Sequence, residues 1–314
     1  MIRLGITLGD PRGIGPEIVG KALNDPRIAA LGASWFVLGP SGTGVAVHDD
    51  LGPWPPGQDE AAAVALAGAF AGRAVERATH RALAGELAGM VTAPLDKYAL
   101  RAGGYDYPGH TEMLSALANV PVAMMLASSR LRVVLATTHI ALRDVPQAVT
   151  REALVQAYHT TARGLRDDFG IAQPRIALCA LNPHAGDHGR FGSEDDELLA
   201  PVARELGMHG PFPADTVFVR AMRGEFDAVI APYHDVGMTA IKVASFGSAV
   251  NVTLGLPFIR TSPDHGTALD IAGQGVASAE SMVQAMELAY TLALRRESRG
   301  PLDLVGRETA EQKV

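Results

Sequence analysis

The stretch RIALCALNPHAGDHG, residues 175–189, changes from mainly apolar to mainly polar residues halfway along. Its first part is apolar at consecutive positions, as in a strand that helices cover on both faces of a sheet. Its second part contains two histidines, an aspartate and two glycines, and little that a core could use. The stretch therefore predicts a buried strand that ends in a polar loop, which is where α/β proteins build their sites.

Six further apolar runs are similar to the first part of this stretch, and helical patterns separate several of them. They are IRLGITLG, WFVLG, GMVTAP, VAMMLAS, RVVLATTH and DAVIAPYHD. Strands that alternate with helices predict an α/β/α architecture, with the chemistry beyond the carboxyl ends of the strands. The sequence has no internal repeat and no low-complexity linker.

Helices are predicted where apolar residues recur at helical spacing or where capping residues precede them. The Ala-rich segment 60–88 has this spacing, and a final helix is expected over about 279–296. Thr150 is a typical N-cap residue and predicts the start of another helix. Ser193 and Asp196 resemble a capping box at the start of a further one.

The composition limits the possible partners of the chain. Of the 314 residues, 47% are hydrophobic and 19% charged; the net charge is −7 and no run of Lys or Arg exceeds two residues. This balance is globular and argues against nucleic-acid binding, which leaves a small molecule or a protein as the default partner. The single cysteine, Cys179, excludes an internal disulfide and Cys-based zinc sites, and its apolar neighbours predict a buried side chain.

The N-terminal stretch MIRLGITLGD is too short for a signal peptide. No segment reaches the roughly 18 apolar residues of a membrane span. We therefore expect a cytoplasmic protein without membrane partners.

Three of the ten histidines directly follow apolar runs: His139 in LATTHI, His184 in ALNPHA and His234 in IAPYHD. Side chains at the ends of neighbouring strands can converge on one point. Three imidazoles with open positions form a catalytic site for a divalent metal such as zinc, and Asp235 is placed to orient His234. The alternative is that each is an ordinary loop or core histidine.

Two groups of polar residues suit an anionic substrate. His110 and Thr111 lie at the predicted start of a helix, where backbone N–H groups favour an anion. Lys242, Asn251 and Arg260 are polar exceptions in apolar surroundings and suit a phosphate or carboxylate. The alternatives are that Thr111 only caps its helix and that the other three lie on a solvated strand edge.

Two glycine-rich segments are also candidates, although neither matches a standard nucleotide motif. GDPRGIGPE, residues 9–17, lacks the Gly-Lys-Ser/Thr of a Walker A loop, and is either an active-site turn or a structural one. SPDHGTALDIAGQG, residues 262–275, contains Asp264 and Asp270 but no GxGxxG fingerprint.

Eight stretches, in the same order along the chain, resemble the 4-hydroxythreonine-4-phosphate dehydrogenases of vitamin B6 biosynthesis. They are GDPRGIGPEI, VTAPLDK, YPGHTE, TTHIALRDVP, LNPHAGDHGRFG, PADTVF, YHDVGMTAIK and AVNVTLGLPFIRTSPDHGTALDIAG. The resemblance extends from about residue 3 to about residue 290, and several motifs are long enough to be specific.

The resemblance implies a fold like that of the isocitrate and isopropylmalate dehydrogenases, with two lobes around a central cleft. Residues 1–115 and 242–314 would form the cofactor-binding lobe, and residues 116–241 the metal, substrate and dimerisation lobe. It also implies a homodimer whose metal site is completed across the interface, so that one of the three histidines comes from the partner chain.

The implied reaction is oxidation of 4-phosphooxy-L-threonine with NAD or NADP. The 2-amino-3-oxo acid then loses carbon dioxide and becomes 3-amino-2-oxopropyl phosphate, on the route to pyridoxal phosphate. A zinc, magnesium or cobalt ion would lower the pKa of the substrate hydroxyl and stabilise the developing alkoxide. Lys242 or Asp235 would take the hydroxyl proton.

Carried over residue by residue, the functional positions of the family coincide with the candidates above. The metal ligands are His139, His184 and His234. The substrate-binding residues are His110, Thr111, Lys242, Asn251 and Arg260. The cofactor loop comprises Asp264, His265, Gly266, Thr267 and Asp270.

Departures from the family pattern leave the substrate open. Val236 stands where a glutamine is expected, Arg12 where a small residue is expected, and the segment 39–60 is short and rich in Gly and Pro. Relatives act on D-threonate or D-erythronate 4-phosphate or on aromatic cis-dihydrodiols, and PGHTE together with Arg260 favours a phosphorylated substrate. The alternatives from other classes are a metal-dependent hydrolase that uses the same histidines and a protein that only binds its ligand.

Overall fold

The computed structural model describes residues 1–55, 59–245 and 248–299. Within these ranges eleven strands form one sheet. The strands are β1 (Arg3–Thr7), β2 (Ser34–Ser41), β3 (Asp49–Pro53), β4 (Gly89–Thr92), β5 (Ala123–Ala127), β6 (Arg132–Leu135), β7 (Ile176–Cys179), β8 (His209–Phe212), β9 (Ala228–Ala231), β10 (Val250–Leu254) and β11 (Ile259–Pro263).

The α-helices in the same ranges lie between these strands and after the last one. They are α1 (Gly15–Leu23), α2 (Pro26–Ala30), α3 (Glu60–Leu83), α4 (Lys97–Ala102), α5 (His110–Ala118), α6 (Val145–Ala148), α7 (Arg151–Asp167), α8 (Ala200–Leu206), α9 (Ala214–Met222), α10 (His234–Ser245) and α11 (Glu280–Arg299). Residues 300–314 of the predicted cofactor-binding lobe lie outside the described ranges.

Two blocks of parallel strands run in opposite directions within the sheet. The strand order is β3-β2-β1-β4-β11-β10-β5-β6-β9-β7-β8. The first five strands are parallel to one another, and so are the last four. Between the blocks, β10 is antiparallel to β11 and to β5, and β5 is antiparallel to β6. β10 and β5 therefore form the junction between the two halves of the sheet.

Alternate side chains of each strand pack into cores on opposite faces of the sheet. In β5, Met125 joins a core that includes α1, α2, α7, α8 and α11, whereas Met124 and Leu126 point to the other face. On that face the core is divided, because α3 and α5 cover one half of the sheet and α9 and α10 cover the other. The predicted α/β/α architecture is confirmed, and its second face carries a cleft between two groups of helices.

Most elements predicted from the sequence are confirmed. All seven apolar runs contain strands, namely β1, β2, β4, β5, β6, β7 and β9. The helix predicted over 60–88 is α3, which ends at Leu83, before Gly85 with a φ of 76°. Thr150 caps α7, since its side chain accepts a hydrogen bond from the Ala153 N–H at 3.2 Å.

The capping box predicted at Ser193 and Asp196 does not form. The Ser193 hydroxyl donates instead to Glu197 Oε2 at 2.9 Å, and Asp195–Leu199 forms a π-helical turn before α8. Pro201 lies in the first turn of α8. Because proline has no N–H to donate, the chain changes its hydrogen-bond pattern just ahead of it.

The burial of Cys179 and the absence of a membrane-spanning helix from the described ranges agree with the sequence. Cys179 is fully buried in β7, as predicted, and burial raises the pKa of its thiol to about 12. Over residues 1–55, 59–245 and 248–299, no helix is both long enough and apolar enough to cross a membrane.

Candidate active site

A cavity of about 460 Å³ lies against the junction of the sheet, between the two groups of helices on the divided face. Residues from β4, β5, β10 and β11 line it, together with residues from α4, α5 and α10. All five residues predicted to bind substrate are among them: His110, Thr111, Lys242, Asn251 and Arg260. The fold thus brings the predicted anion-binding residues to one place.

Arg260 brings a positive charge to this cavity, and among the described residues its side chain donates hydrogen bonds only to hydroxyl groups. The residue is 2% exposed; Nη1 donates to Thr253 Oγ1 at 3.0 Å and Nη2 donates to Thr92 Oγ1 at 2.6 Å. Nε is buried without a hydrogen-bond partner in the described part of the chain. Burial lowers the pKa of Arg260 to about 9, against the opposing effect of Glu112, so the side chain stays protonated at neutral pH. A buried cation of this kind suits an anion, and a solvated strand edge is excluded.

His110 is the first residue of α5, and the extended Gly109 precedes it as N-cap. No side chain caps this helix, so the alternative in which Thr111 only caps it is wrong. His110 Nε2 is buried and has no hydrogen-bond partner among the described residues. Burial lowers the pKa of His110 well below its usual value, and the charges of Arg260 and Lys97 act in the same direction. A neutral imidazole with one donor and one acceptor therefore faces the cavity.

One side of α10 lines the cavity, with His234, Met238 and Lys242 at four-residue spacing. Lys242 is therefore on a helix and not on a strand edge; its Nζ lies 3.4 Å from the carbonyl oxygen of Asp264 and 3.7 Å from its carboxylate. Asn251 lies on the interior strand β10, and its Oδ1 is buried without a partner in the described residues. This oxygen can accept a hydrogen bond from a ligand.

His139 and His234 meet in the cavity, with their ring centroids 5.4 Å apart. They follow β6 and β9, which are adjacent and parallel, as the strand-end pattern predicts. Thr137 Oγ1 donates to the Pro232 carbonyl oxygen at 2.7 Å and ties the two loops together. The pairing of the loops therefore sets the distance between the imidazoles.

The two imidazoles fit a divalent metal. Burial lowers the pKa of His139, with smaller contributions from Lys97 and His234, so this ring is neutral at physiological pH. His234 Nδ1 lies 2.7 Å from Asp235 Oδ1, which leaves Nε2 as the available ligand atom. The Asp235 side chain is 84% exposed and does not line the cavity, so it orients His234 from outside.

His184, the third predicted ligand, lies elsewhere. It follows β7, the neighbour of β9, but it is exposed outside the cavity, and its ring centroid is 6.4 Å from that of Phe191. In the described ranges, no group of three or more His, Cys, Asp and Glu side chains is arranged to hold a metal. One chain therefore brings two of the predicted ligands together and presents the third at its surface.

The predicted cofactor loop lies partly in the cavity and partly against the N-terminal turn. Residues 264–266 line the cavity, whereas Asp270 is exposed outside it. The Thr267 carbonyl oxygen accepts a hydrogen bond from the Ile14 N–H at 2.9 Å. A Cβ on Gly13 would lie 2.7 Å from the same oxygen. The glycine-rich turn at residues 9–17 thus packs directly against this loop.

Five polar residues of the cavity were not predicted individually: Thr92, Lys97, Glu112, Thr239 and Ser262. Lys97 is the first residue of α4, and its charge adds to burial in lowering the pKa of His110 and His139. Glu112, in the first turn of α5, has the opposite effect on His139. The position of Lys97 in the sequence could have indicated it, because Lys97 follows the end of β4 just as the three histidines follow the ends of their strands.

Neither of the two single-residue departures from the family pattern lines the cavity. Arg12 Nη2 donates to Oδ2 of the fully buried Asp10 at 2.6 Å. Val236 packs against the core beneath α10. The two substitutions therefore leave the lining of the cavity unchanged.

The family model described as "Pyridoxal phosphate biosynthetic protein PdxA" matches residues 46–289, more than half of the chain. The chain belongs to this family. Among its PdxA relatives is the 4-hydroxythreonine-4-phosphate dehydrogenase of Paracoccus denitrificans (strain Pd 1222), 44% identical over 319 residues that cover 93% of this chain and 98% of the relative. The resemblance inferred from the motifs is confirmed.

Two other similar proteins extend the comparison. The D-threonate 4-phosphate dehydrogenase of Cupriavidus necator is 41% identical over 332 residues, which cover 93% of this chain and 98% of that protein. The crystal structure of 4-hydroxythreonine-4-phosphate dehydrogenase from Klebsiella pneumoniae is 39% identical, with a TM-score of 0.83, and covers 93% of this chain and 100% of that one. The PdxA fold thus accounts for nearly all of the chain.

Proposed function

We propose that this PdxA family member is a metal- and NAD(P)-dependent dehydrogenase that oxidises 4-phosphooxy-L-threonine in the cytoplasm, in pyridoxal phosphate biosynthesis. The 2-amino-3-oxo acid then loses carbon dioxide to give 3-amino-2-oxopropyl phosphate. The observation that carries the proposal is Arg260, a buried cation in the cavity whose hydrogen bonds, within the described part of the chain, go only to hydroxyl groups. Such a cation is stabilised when an anionic substrate group binds to it.

The residues around Arg260 supply the rest of the substrate contacts. Arg260 would bind the phosphate or the carboxylate, with His110 and Thr111 adding uncharged donors at the N-terminus of α5. The unpaired Oδ1 of Asn251 would accept a hydrogen bond from the substrate. Among these four residues Arg260 offers the charged contact, and His110, Thr111 and Asn251 offer neutral ones.

His139 and His234 would hold a divalent zinc, magnesium or cobalt ion, and His184 of a second copy of the chain would be the third ligand. When bound, such an ion lowers the pKa of a coordinated hydroxyl and stabilises negative charge on oxygen. Support comes from the contact between His139 and His234 in the cavity and from the exposure of His184 outside it. The active protein would accordingly be a homodimer.

Lys242 is the stronger of the two candidates for the general base. It lines the cavity beside Asp264, whereas Asp235 lies outside the cavity and contacts His234. A base has to reach the proton that it removes. Lys242 would therefore take the proton of the substrate hydroxyl, and Asp235 would keep His234 oriented.

NAD or NADP would bind along residues 264–270, since the first three of these line the same cavity. The lobe of residues 1–115 and 242–314 would carry this loop, and residues 116–241 would form the metal and dimerisation lobe. Strand order supports this division, because β1–β4 with β10 and β11 occupy one side of the sheet and β5–β9 the other.

The test is formation of NADH or NADPH from 4-phosphooxy-L-threonine, with and without added divalent metal. Wild type should turn over only with metal, and His184→Ala should retain less than about 1% of the rate. Arg260→Met should raise KM about 100-fold, because it removes the charged contact. Arg132→Met is the control, since Arg132 is a largely buried arginine that donates to the Asp227 carbonyl oxygen away from the cavity. Wild-type KM in Arg260→Met would refute the anion site.

D-Threonate 4-phosphate is the second candidate substrate. The relative named for this substrate is 41% identical to the chain, close to the 44% of the 4-hydroxythreonine-4-phosphate dehydrogenase from Paracoccus. Comparing kcat/KM for the two compounds and for D-erythronate 4-phosphate decides between them. Release of inorganic phosphate without cofactor reduction would instead favour the metal-dependent hydrolase.

A further inference from the structure

The loop that carries His184 has an unusual backbone. Residues 184–189 all have positive φ, from 45° at Asp187 to 84° at Gly189. Only Gly186 and Gly189 among the six are glycines. A left-handed conformation is unfavourable for residues with a Cβ, so it persists only where the surroundings hold it. Neighbouring groups therefore have to hold this loop.

The carboxylate of Asp195 holds the start of the loop. The residue is 1% exposed, and its two oxygens accept hydrogen bonds from successive backbone N–H groups. Oδ1 accepts from Leu181 at 2.8 Å, and Oδ2 accepts from Asn182 at 2.9 Å. Both donors immediately precede Pro183 and His184, so the carboxylate fixes the direction in which the chain enters the left-handed turn.

Further contacts close the loop around this carboxylate. Asn182 Nδ2 donates to Glu194 Oε2 at 2.8 Å, and the Phe191 N–H donates to the Gly186 carbonyl oxygen at 3.0 Å. The Gly186 backbone also passes close to Asp195, since a Cβ on Gly186 would lie 3.6 Å from the Cβ of Asp195. The loop thus wraps around Asp195 while His184 remains exposed.

We propose that Asp195 is a positioning residue that fixes the His184 loop in the conformation that presents the imidazole to a metal ion. This role rests on the proposed function, in which His184 of one copy completes the metal site of another. Asp195 is buried behind the loop, and in the described ranges its carboxylate accepts hydrogen bonds only from the loop backbone, so it acts through His184 and is not itself a ligand. The loop is then formed before the metal binds.

Preformation matters because His184 is otherwise weakly held. Metal-binding histidines are usually oriented by a hydrogen bond to the second ring nitrogen, and losing that contact lowers metal affinity about 10- to 100-fold. His234 has such a contact from Asp235, whereas the ring contact recorded for His184 is with Phe191. The backbone of the loop therefore has to orient the His184 ring, and Asp195 is the group that holds this backbone in place.

The test compares Asp195→Asn with Asp196→Asn. The first keeps the size of the side chain but replaces one acceptor by a donor that faces a backbone N–H. The second makes the same charge change one residue away, at an exposed position. Cobalt affinity is measured by calorimetry without substrate or dinucleotide, and the visible spectrum of bound cobalt reports the ligand set.

We expect Asp195→Asn to bind cobalt about 10- to 100-fold more weakly than wild type and to shift the cobalt spectrum toward that of His184→Ala. Asp196→Asn should match wild type in both measurements. A purely structural role for Asp195 would lower the melting temperature of the variant and leave the cobalt spectrum unchanged, and that result would overturn the proposal.

Amide hydrogen exchange of the metal-free protein provides a second readout. In wild type the Leu181 and Asn182 amides should exchange far more slowly than those of His188 and Gly189, and Asp195→Asn should remove this protection. The wild-type measurement does not depend on whether the variant folds. Equal exchange at both sets of amides would overturn the role of Asp195.

His184→Ala separates this proposal from the proposed metal site. If His184→Ala binds cobalt as tightly as wild type, His184 is not a ligand, and the metal site fails together with the role of Asp195. If His184→Ala loses affinity while Asp195→Asn keeps both affinity and spectrum, the metal site stands and only the role of Asp195 is overturned.

Discussion

Arg260 and His110 respond differently to burial in the same cavity. The pKa of Arg260 falls only to about 9, so the guanidinium remains charged at neutral pH. The pKa of His110 begins near neutrality, and burial takes it well below the physiological range. Arg260 therefore contributes the charge that attracts an anion, and His110 contributes a directional hydrogen bond.

The lowered pKa of His110 predicts a loss of stability in mild acid. Above about pH 6.5, the usual histidine pKa, neither the folded nor the unfolded protein holds a proton on this ring. Below that pH the unfolded chain binds a proton and the folded protein does not, so the free energy of unfolding decreases until the pH reaches the folded pKa. His110→Gln removes this contribution and should lose less stability than wild type between about pH 7.5 and about pH 5.5.

Urea unfolding of the metal-free proteins at the two pH values measures the difference. His80→Gln is the matched control, because His80 is exposed near the end of α3, and its pH dependence should follow that of wild type. A parallel loss of stability in His110→Gln and wild type would show that His110 is not buried in its neutral form.

Single residues could be predicted from the sequence where their chemistry contrasts with their neighbours. Arg260 and Asn251 stand out in apolar strands, whereas Lys97 lies in a polar helix start and gave no such signal. His184 shares its strand-end position with His139, but it lies outside the cavity. Its left-handed loop depends on contacts with Asp195, eleven residues further along, which no local pattern reveals.

Among the secondary-structure elements, the strands that were not predicted from the sequence are those whose residues do not form an apolar run. β3 contains Pro53 and β8 contains Pro211, and these two strands are the edges of the sheet. Proline has no N–H that could bond to a second neighbouring strand, so it is tolerated in an edge strand. The same proline interrupts the apolar pattern by which a strand is recognised in the sequence. β10 and β11 were missed because Asn251 and Arg260 interrupt their apolar character.

The first turn of the chain contacts the predicted cofactor loop, and α1 contacts the segment that follows it. Gly13 lies against Thr267, with no room for a side chain. In α1, Lys21 Nζ donates to the carbonyl oxygens of Gly275 at 2.9 Å and Ala277 at 2.7 Å. The loop and the segment after it are therefore held by the N-terminal residues, although about 250 residues separate them in the sequence.

Gly13→Ala should weaken dinucleotide binding. The new Cβ would lie 2.7 Å from the Thr267 carbonyl oxygen, so the loop has to move away from residue 13 and lose its position. We expect about a tenfold rise in the Kd for NAD or NADP, about 1.4 kcal/mol, measured by calorimetric titration. Metal affinity should not change, because His139 and His234 lie on other elements.

Gly20→Ala is the control for this substitution. Gly20 lies within α1, and a Cβ there would meet only Val45 Cγ2 at 3.4 Å. Alanine is the better helix former, so the free energy of unfolding should rise by up to about 1 kcal/mol while the dinucleotide Kd stays the same. An unchanged Kd in Gly13→Ala as well would mean that residues 264–270 do not bind the dinucleotide.

At the scale of the whole molecule, the cavity exists because the two halves of the sheet run in opposite directions. The histidines follow strands of one block, whereas Thr92 ends β4 and Asp264 follows β11 in the other. The α10 helix bridges the two groups, since His234 and Lys242 are eight residues, about 12 Å, apart along it. The apolar runs predicted the strands, but the reversal depends on long-range pairing of β10 and β5, which no single segment encodes.

A metal site shared between two copies predicts that inactive variants can restore each other. In a hybrid dimer of His184→Ala with His139→Ala, one site contains both substitutions and the other contains neither. Random exchange of subunits makes about half of the dimers hybrid, so the mixture should recover about one quarter of the wild-type rate. Activity is measured after mild dissociation and reassociation, with native mass spectrometry to confirm the exchange.

A mixture of His139→Ala with His234→Ala is the negative control for this experiment. These two histidines meet within one chain, at 5.4 Å between ring centroids, so every site of a hybrid dimer would lack one of them. That mixture should stay inactive although its subunits exchange equally well. Recovery in both mixtures would mean that His139 and His234 of one site also come from different chains. Recovery in neither, with exchange confirmed, would mean that all three histidines of a site come from one chain.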